Sequence, residues 1–292
     1  MHDLQSDQGR QAADVSLHHL QTRTALHAGT SRPPLRGSIQ DLVRLVGILT
    51  LAVTLTGIYA HTARAVPPQA GDVFITNHVM NGAGHVMGLD PKTSQTWMVA
   101  SGGFLFNPVG IAVEADGHLV VTDMWDGKTG GAVIRIEPDS GKQTVLSKGG
   151  YLIAPFGIAV GSGGAIYVAE TTQGGSVIRI DPQTGQQHAL FKGDLLRSPH
   201  DIEVDPHGDV FVVDSPTTDS GIGGRVVALR TDGSQELLTH GGFLQMPRGL
   251  ALDSTGRLMV VESIALTGAL VDVDQINQTQ TVLSNNGLLD RA

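Results

Sequence analysis

One phrase is written five times along this chain, and the interval between copies restricts the fold more than any single residue does. The copies are GDVFITN from Gly71, GHLVVTD from Gly117, GAIYVAE from Gly164, GDVFVVD from Gly208 and GRLMVVE from Gly256. Successive starts lie 46, 47, 44 and 48 residues apart. A period in the forties, built from short alternating strands, is the signature of a β-propeller. One such unit cannot bury its apolar faces alone, so the units must stack against one another around an axis.

Each complete unit opens on Pro-x-Gly/Asp-Ile/Leu: Pro108-Val109-Gly110-Ile111, Pro155-Phe156-Gly157-Ile158, Pro199-His200-Asp201-Ile202 and Pro247-Arg248-Gly249-Leu250. A short apolar strand follows, then a turn rich in Asp, Gly and Ser (EADG, GSGG, DPHG, DSTG), and then the repeated phrase as a second strand. A third strand (AVIRIEP, SVIRIDP, RVVALRT) and a fourth (TVLSKGG, HALFKGD, ELLTHGG) complete the unit. Four antiparallel strands make a propeller blade. The first strand is nearly all apolar and reads as innermost and buried on both faces, whereas the third and fourth alternate and read as outer strands. Arg135 and Arg179, at equivalent places in VIRI, read as a solvated or ion-paired face.

The ends of the repeat array differ from its middle. No Pro-x-Gly-Ile precedes Gly71, so the first unit begins at its second strand. The last ends in Asn286–Ala292, which matches the GGYLIAP stretch leading into a following blade. The expected fold is therefore all-β: a propeller of about five four-stranded blades, or an open or truncated six-bladed ring. In the five-bladed form Val66–Ala70 would help to close the ring.

Composition removes several functions. Residues 1–65 carry six of the 19 basic and four of the 28 acidic side chains, leaving the repeats with 13 against 24. Nucleic-acid binding needs a basic stripe to displace counterions, and so acidic a domain offers none. There is no cysteine, which excludes disulfides, thiolate metal sites, a cysteine nucleophile and a cysteine-linked lipid anchor.

Residues 45–60, LVGILTLAVTLTGIYA, form an uncharged apolar run behind Arg44, and Ala63-Arg64-Ala65 supplies a small-residue cleavage pattern. The run is shorter than the roughly 20 residues of a full membrane crossing. It reads as a signal peptide cut after Ala65, which makes the protein periplasmic or extracellular. The alternative is an uncleaved inner-membrane anchor with the propeller outside. Residues 1–44 are polar and aperiodic, either a disordered extension or an over-extended start with translation beginning near Val43. Residues 66–292 form the propeller domain, so the membrane is touched only through the apolar leader.

All innermost strands should start at one mouth of the central channel, and the residue after each opening proline should point there: Val109, Phe156, His200 and Arg248. Asp201 stands where the other blades have glycine. His200-Asp201 could be a general base with its orienting carboxylate, or a channel-lining pair bonded to nearby backbone. A polar residue closes every second strand: Asn77, Asp123, Glu170, Asp214 and Glu262. A ring of carboxylates could hold a hard cation such as Ca²⁺. Equally, each could cap its own loop by accepting backbone N–H bonds. The remaining repeat-domain histidines (His78, His85, His118, His188, His207, His240) show no metal-ligand spacing, and no G-x-S-x-G elbow or phosphate-binding glycine loop appears.

The pattern P-x-G-I-A-V-x-x-x-G-x-L-x-V-x-D followed by V-I-R-I-D-P-x-T-G resembles the NHL-repeat propellers and the bacterial streptogramin-lyase-like proteins, over residues 71–292. That resemblance implies a propeller and a range of uses, since such folds include binding scaffolds, lyases and lactonases. Streptogramin lyases place histidines and a Mg²⁺ site near the mouth, and His200 falls on a matching Pro-His phrase, with Arg248 where a second histidine would stand. Gluconolactonase-type enzymes use acidic and amide residues there, a role that Val109 and Phe156 cannot fill.

Two functions are therefore expected. The first is an exported binding scaffold for a protein, glycan or small-molecule ligand, with Val109, Phe156, His200 and Arg248 lining its site. The second is a divalent-metal-assisted lyase or lactone hydrolase. In it His200 is the base, Asp201 its orienter and Arg248 the stabiliser of negative charge, with Mg²⁺ or Ca²⁺ on Asp214 or Glu262. No cofactor is fixed by the sequence.

Overall fold

The computed structural model describes residues 69–78, 84–124, 130–193, 195–215, 223–264 and 267–285. The polar extension, the apolar leader, Val66–Pro68 and the closing stretch Asn286–Ala292 lie outside the described residues. Within them the protein is all-β, with five antiparallel blades in a ring. No helix among them is long and apolar enough to cross a membrane.

Blade 1 holds β1 (Val73–Asn77), β2 (His85–Asp90) and β3 (Gln95–Ser101). Blade 2 holds β4 (Pro108–Val113), β5 (Leu119–Asp123), β6 (Ala132–Glu137) and β7 (Lys142–Lys148). Blade 3 holds β8 (Pro155–Val160), β9 (Ile166–Glu170), β10 (Ser176–Ile180) and β11 (Gln187–Lys192). Blade 4 holds β12 (Pro199–Val204), β13 (Val210–Asp214), β14 (Arg225–Leu229) and β15 (Gln235–His240). Blade 5 holds β16 (Pro247–Leu252), β17 (Leu258–Ile264), β18 (Thr267–Asp274) and β19 (Thr279–Ser284). Every sheet runs in chain order, and the innermost strands β4, β8, β12 and β16 pack side by side around the axis. Blade 1 has three strands among the described residues and lacks the innermost one, as the missing Pro-x-Gly-Ile phrase predicts.

The period-2 alternation decides which neighbour each side chain meets. On β13, Val210 and Val212 enter the core shared with blade 3, while Phe211 and Val213 enter the core shared with blade 5. Four buried clusters result, one for each successive pair of blades from 1/2 to 4/5. Each fully buried Val, Leu or Ile contributes about 1.5–3 kcal/mol. One leucine per blade-to-blade loop (Leu105, Leu152, Leu196, Leu244) is buried in the cluster beneath it.

Two expectations about strand exposure are corrected. The third strands are not outer strands in their burial: β14 is buried throughout, because successive blades cover both of its faces. The innermost strands are not uniformly buried either. β8, β12 and β16 are largely covered, but β4 is only half-buried and ends in exposed Val113. Its flank lies beside blade 1, which has no innermost strand among the described residues.

Polar links repeat across the blade junctions. The Gln187 amide donates to Ser147 Oγ and to the Gly149 carbonyl (both 2.9 Å) and accepts from Tyr151 N–H (2.7 Å), so the outer strand of blade 3 hooks the Gly-Gly turn of blade 2. Gln143 and Gln280 accept the Phe104 and Phe243 N–H groups at equivalent turns. Arg135 grips Glu114 with two 2.6 Å bonds and reaches the Pro182 carbonyl of the next blade (3.0 Å), the ion-paired alternative for this residue. The glycine that opens each phrase turns with positive φ, from 81° to 100° across the five copies, a conformation that favours glycine.

Candidate functional site

The ladder between first and second strands skips a residue in every complete blade. Pro199 pairs with Asp214 and Asp201 with Val213, leaving His200 in a bulge. Pro247 pairs with Glu262 and Gly249 with Val261, leaving Arg248 in another. In blades 2 and 3 the register shift spans Val109-Gly110 and Phe156-Gly157. A bulge breaks the in-and-out alternation and re-aims the side chain it contains. At the mouth the structure joins Phe156, His200 and Arg248 from three successive blades. The Phe156 and His200 rings meet edge to face at 5.1 Å, and Arg248 Nη1 donates to His200 Nε2. For Val109 the recorded contact is through its backbone, whose carbonyl accepts from Thr76 Oγ1 (2.7 Å).

His200 is held from both sides. Its Nδ1 lies 2.8 Å from the Ser198 carbonyl, which fixes the N–H on Nδ1 and leaves the Nε2 lone pair for the guanidinium. Burial first, and then the Arg248 charge, pull the imidazole down from 6.5 to about 4, against the pull of the Ser198 carbonyl, so it is neutral at physiological pH. The orienting group is thus Ser198 and not Asp201. The Asp201 carboxylate turns to the neighbouring blade, where Oδ2 accepts the Leu250 N–H at 2.8 Å. It fits because blade 3 has glycine opposite: a Cβ on Gly157 would stand 2.5 Å from Asp201 Oδ1. Burial drives its pKa well above the usual carboxylate range. Asp201 ties β12 to β16 directly, in addition to a hydroxyl link of the kind seen at other junctions: Ser215 Oγ donates to the Pro247 carbonyl (2.6 Å) here, as Thr122 Oγ1 of β5 does to the Phe156 carbonyl (2.5 Å).

The carboxylates closing the second strands share one task. Asp123 accepts the N–H groups of Phe106 and Asn107, and Glu170 those of Ile153 and Ala154. Asp214 accepts from Arg197 and Ser198 (2.9 and 2.6 Å), and Glu262 from Gln245 and Met246 (2.8 and 2.7 Å). In each blade these are the two residues before the opening proline, so the carboxylate fastens the loop that delivers the inner strand. Asp214 Oδ2 also faces Arg225 Nε at 3.1 Å. Burial raises the pKa of both Asp214 and Glu262, with the backbone donors and nearby arginines pulling the other way. These oxygens do not fit the Mg²⁺ or Ca²⁺ expected at Asp214 and Glu262. Both Glu262 oxygens and Asp214 Oδ1 are engaged by N–H donors, Asp214 Oδ2 faces the Arg225 cation, and among the described residues no group of three or more His, Asp or Glu converges.

A rim of exposed apolar side chains, named by none of the sequence patterns above, lies on the connecting loops. The blade-to-blade loops cross the mouth face, and Phe104, Phe106, Tyr151, Ile153, Phe243 and Met246 all lie on them, 37–54% exposed. They make up six of the ten large apolar side chains that are exposed among the described residues. Their signal was legible in GGFLFNP, GGYLIAP and GGFLQMP: the leucine turns inward and its neighbours outward. A concentration of this kind on one face marks a contact surface.

Residues 110–287, more than half of the chain, match the profile of the family described as SMP-30/Gluconolactonase/LRE-like region. No curated protein matches the sequence significantly. Among solved structures, TolB from Acinetobacter baumannii superposes with a TM-score of 0.56 at 14% identity, over 74% of this chain and 52% of that one. A catalytically inactive virginiamycin B lyase from Staphylococcus aureus, solved with quinupristin, gives 0.53 at 15%, over 76% and 69%. A gluconolactonase from Xanthomonas campestris gives 0.54 at 17%, over 70% and 69%. The chain thus spans about half the length of TolB, and at these identities the likeness is one of fold.

Proposed function

From the premise that this chain belongs to the SMP-30/gluconolactonase/LRE-like family, we propose that it is an exported, ligand-binding propeller whose recognition surface is the mouth face. The observation that carries this reading is that the blade-to-blade loops, on the same face as Phe156, His200 and Arg248, carry six of the ten exposed large apolar side chains among the described residues. Exposed apolar area on a soluble domain is retained where something covers it, and aromatic anchors around a polar centre are the usual composition of such a surface. Engagement of the second-strand carboxylates by their own loops supports a binding role over a metal-assisted reaction. So does engagement of the His200 lone pair by Arg248. Export rests on the apolar leader and the Ala63-Arg64-Ala65 pattern.

The neutral dye N-phenyl-1-naphthylamine, which brightens on apolar surfaces, tests the surface. The purified protein is expected to bind it, and the triple variant Phe104→Ser/Tyr151→Ser/Phe243→Ser to bind at least about tenfold more weakly. Equal binding by the two proteins contradicts the reading. In parallel, no turnover of glucono-δ-lactone or quinupristin is expected with Mg²⁺ or Ca²⁺ present. Metal-dependent turnover that disappears in His200→Ala would establish the lyase or lactonase reading instead.

A further inference from the structure

Several arginines of the blades are held in ion pairs. Arg135 pairs with Glu114, Arg225 with Asp214, Arg230 with Asp209 and Glu236, and Arg257 with Asp272. Arg248 differs. Its recorded hydrogen bond is to a neutral imidazole, and among the described residues no carboxylate forms an ion pair with it. Glu262 is the acidic group that acts on it through space, and both oxygens of Glu262 are engaged by the Gln245 and Met246 N–H groups. The side chain is half-buried, so its charge has lost part of its water without a carboxylate in direct contact among the described residues. Burial accordingly works against the charged form.

The geometry of a guanidinium shows what is left over. With Nη1 engaged by His200, the Nε–Nη2 edge keeps two parallel N–H donors, the fork that matches a carboxylate in a bidentate pair. Phe156 packs against the His200 ring that holds Nη1, and exposed apolar side chains lie on the loops of the same face, Met246 two residues before Arg248 among them. We infer that the mouth binds the carboxylate of an apolar organic acid, with Arg248 as the anion-binding residue, His200 as the residue that positions it, and Phe156 and the rim covering the apolar body. This assignment rests on the mouth face being the recognition surface.

The probes are 4-phenylbutyrate, its neutral amide and phenyl phosphate, each titrated calorimetrically into the full protein. The acid is expected to bind at least about tenfold more tightly than the amide, a gap that Arg248→Met closes and Arg248→Lys keeps only in part. His200→Leu should narrow the gap. His200→Gln, whose carbonyl can accept the same Nη1 donor, should restore it, a rescue that a merely space-filling histidine would not show. Circular dichroism identifies any variant that has unfolded, and Arg248→Gln then replaces Arg248→Met. Equal affinity for acid and amide overturns the inference. If the naphthylamine dye still binds and the rim variant still loses it, the binding-face reading survives that failure. If neither dye nor acid binds, both fall together. Tighter binding of phenyl phosphate than of the acid overturns the carboxylate assignment.

Discussion

The imidazole of His200 sits between a carbonyl and a guanidinium, and that pair of neighbours determines its charge. A group whose pKa is lowered by folding adds stability that is complete above its unfolded value of about 6.5 and is lost as pH falls through about 4. The NMR titration of His200 should therefore centre near 4, and in Arg248→Met it should move part of the way back towards 6.5. Recovery is partial because burial is the larger cause. Asp201 carries the opposite sign. Its raised pKa means that the folded state holds a proton longer than the unfolded chain does, so this residue costs stability as pH rises above the ordinary carboxylate range. Asp201→Asn keeps an oxygen for the Leu250 N–H and removes the buried charge. It should raise the urea midpoint at neutral pH by the equivalent of about 1–2 kcal/mol, with the difference shrinking in acid. A midpoint that falls at neutral pH contradicts this account. His200 and Arg248 were legible as site residues because they follow opening prolines. Asp201 was legible only as a departure from glycine: whether it faces its sequence neighbour or the next blade depends on a bulge that a single sequence does not display. Ser198 acts through its carbonyl, which no side-chain pattern reports.

At the scale of the strand and its loops, the repeat works because each junction is fastened several times over. The Gln187 hook makes three hydrogen bonds, and Gln187→Ala would leave the Tyr151 N–H without its acceptor and the Gly149 carbonyl without this donor, while Ser147 Oγ keeps its bond to the Gly185 carbonyl. A loss of about 1–3 kcal/mol in urea denaturation is expected. Leu152, fully buried beneath the same loop, should cost about 2–5 kcal/mol as Leu152→Ala. Loss of less than about 0.5 kcal/mol from either would show that the junction is held elsewhere. Gly131 shows why small residues recur at these seams, since a Cβ there would stand 2.1 Å from the Pro155 ring. Strand order and turns were readable from alternation and from Asp, Gly and Pro. Burial of the third strands was not, because it depends on how far one blade overlaps the next. Polar residues such as Arg225 sit inside that overlap when a carboxylate meets them.

The whole molecule is a stack of near-identical units curled into a ring, so its architecture was carried almost entirely by the repeat interval. What the interval could not carry is what differs between blades: one histidine, one arginine and one aspartate in place of glycine. Function is sought in those differences, because a feature repeated in every blade is more economically explained as scaffold. The second-strand carboxylates follow that rule in blades 2 to 5, each fastening its own loop. The leader is a matter for the mature N-terminus: Edman sequencing should begin at Val66, and a chain beginning at Met1 contradicts cleavage. The most direct test of the central claim, that this ring presents a binding face and not a metal-dependent reaction centre, is the metal content of the purified protein after exchange into metal-free buffer. The account predicts far less than one divalent ion per chain and a melting temperature unchanged by EDTA. One retained Mg²⁺ or Ca²⁺ per chain, lost in Asp214→Asn or Glu262→Gln, would contradict it.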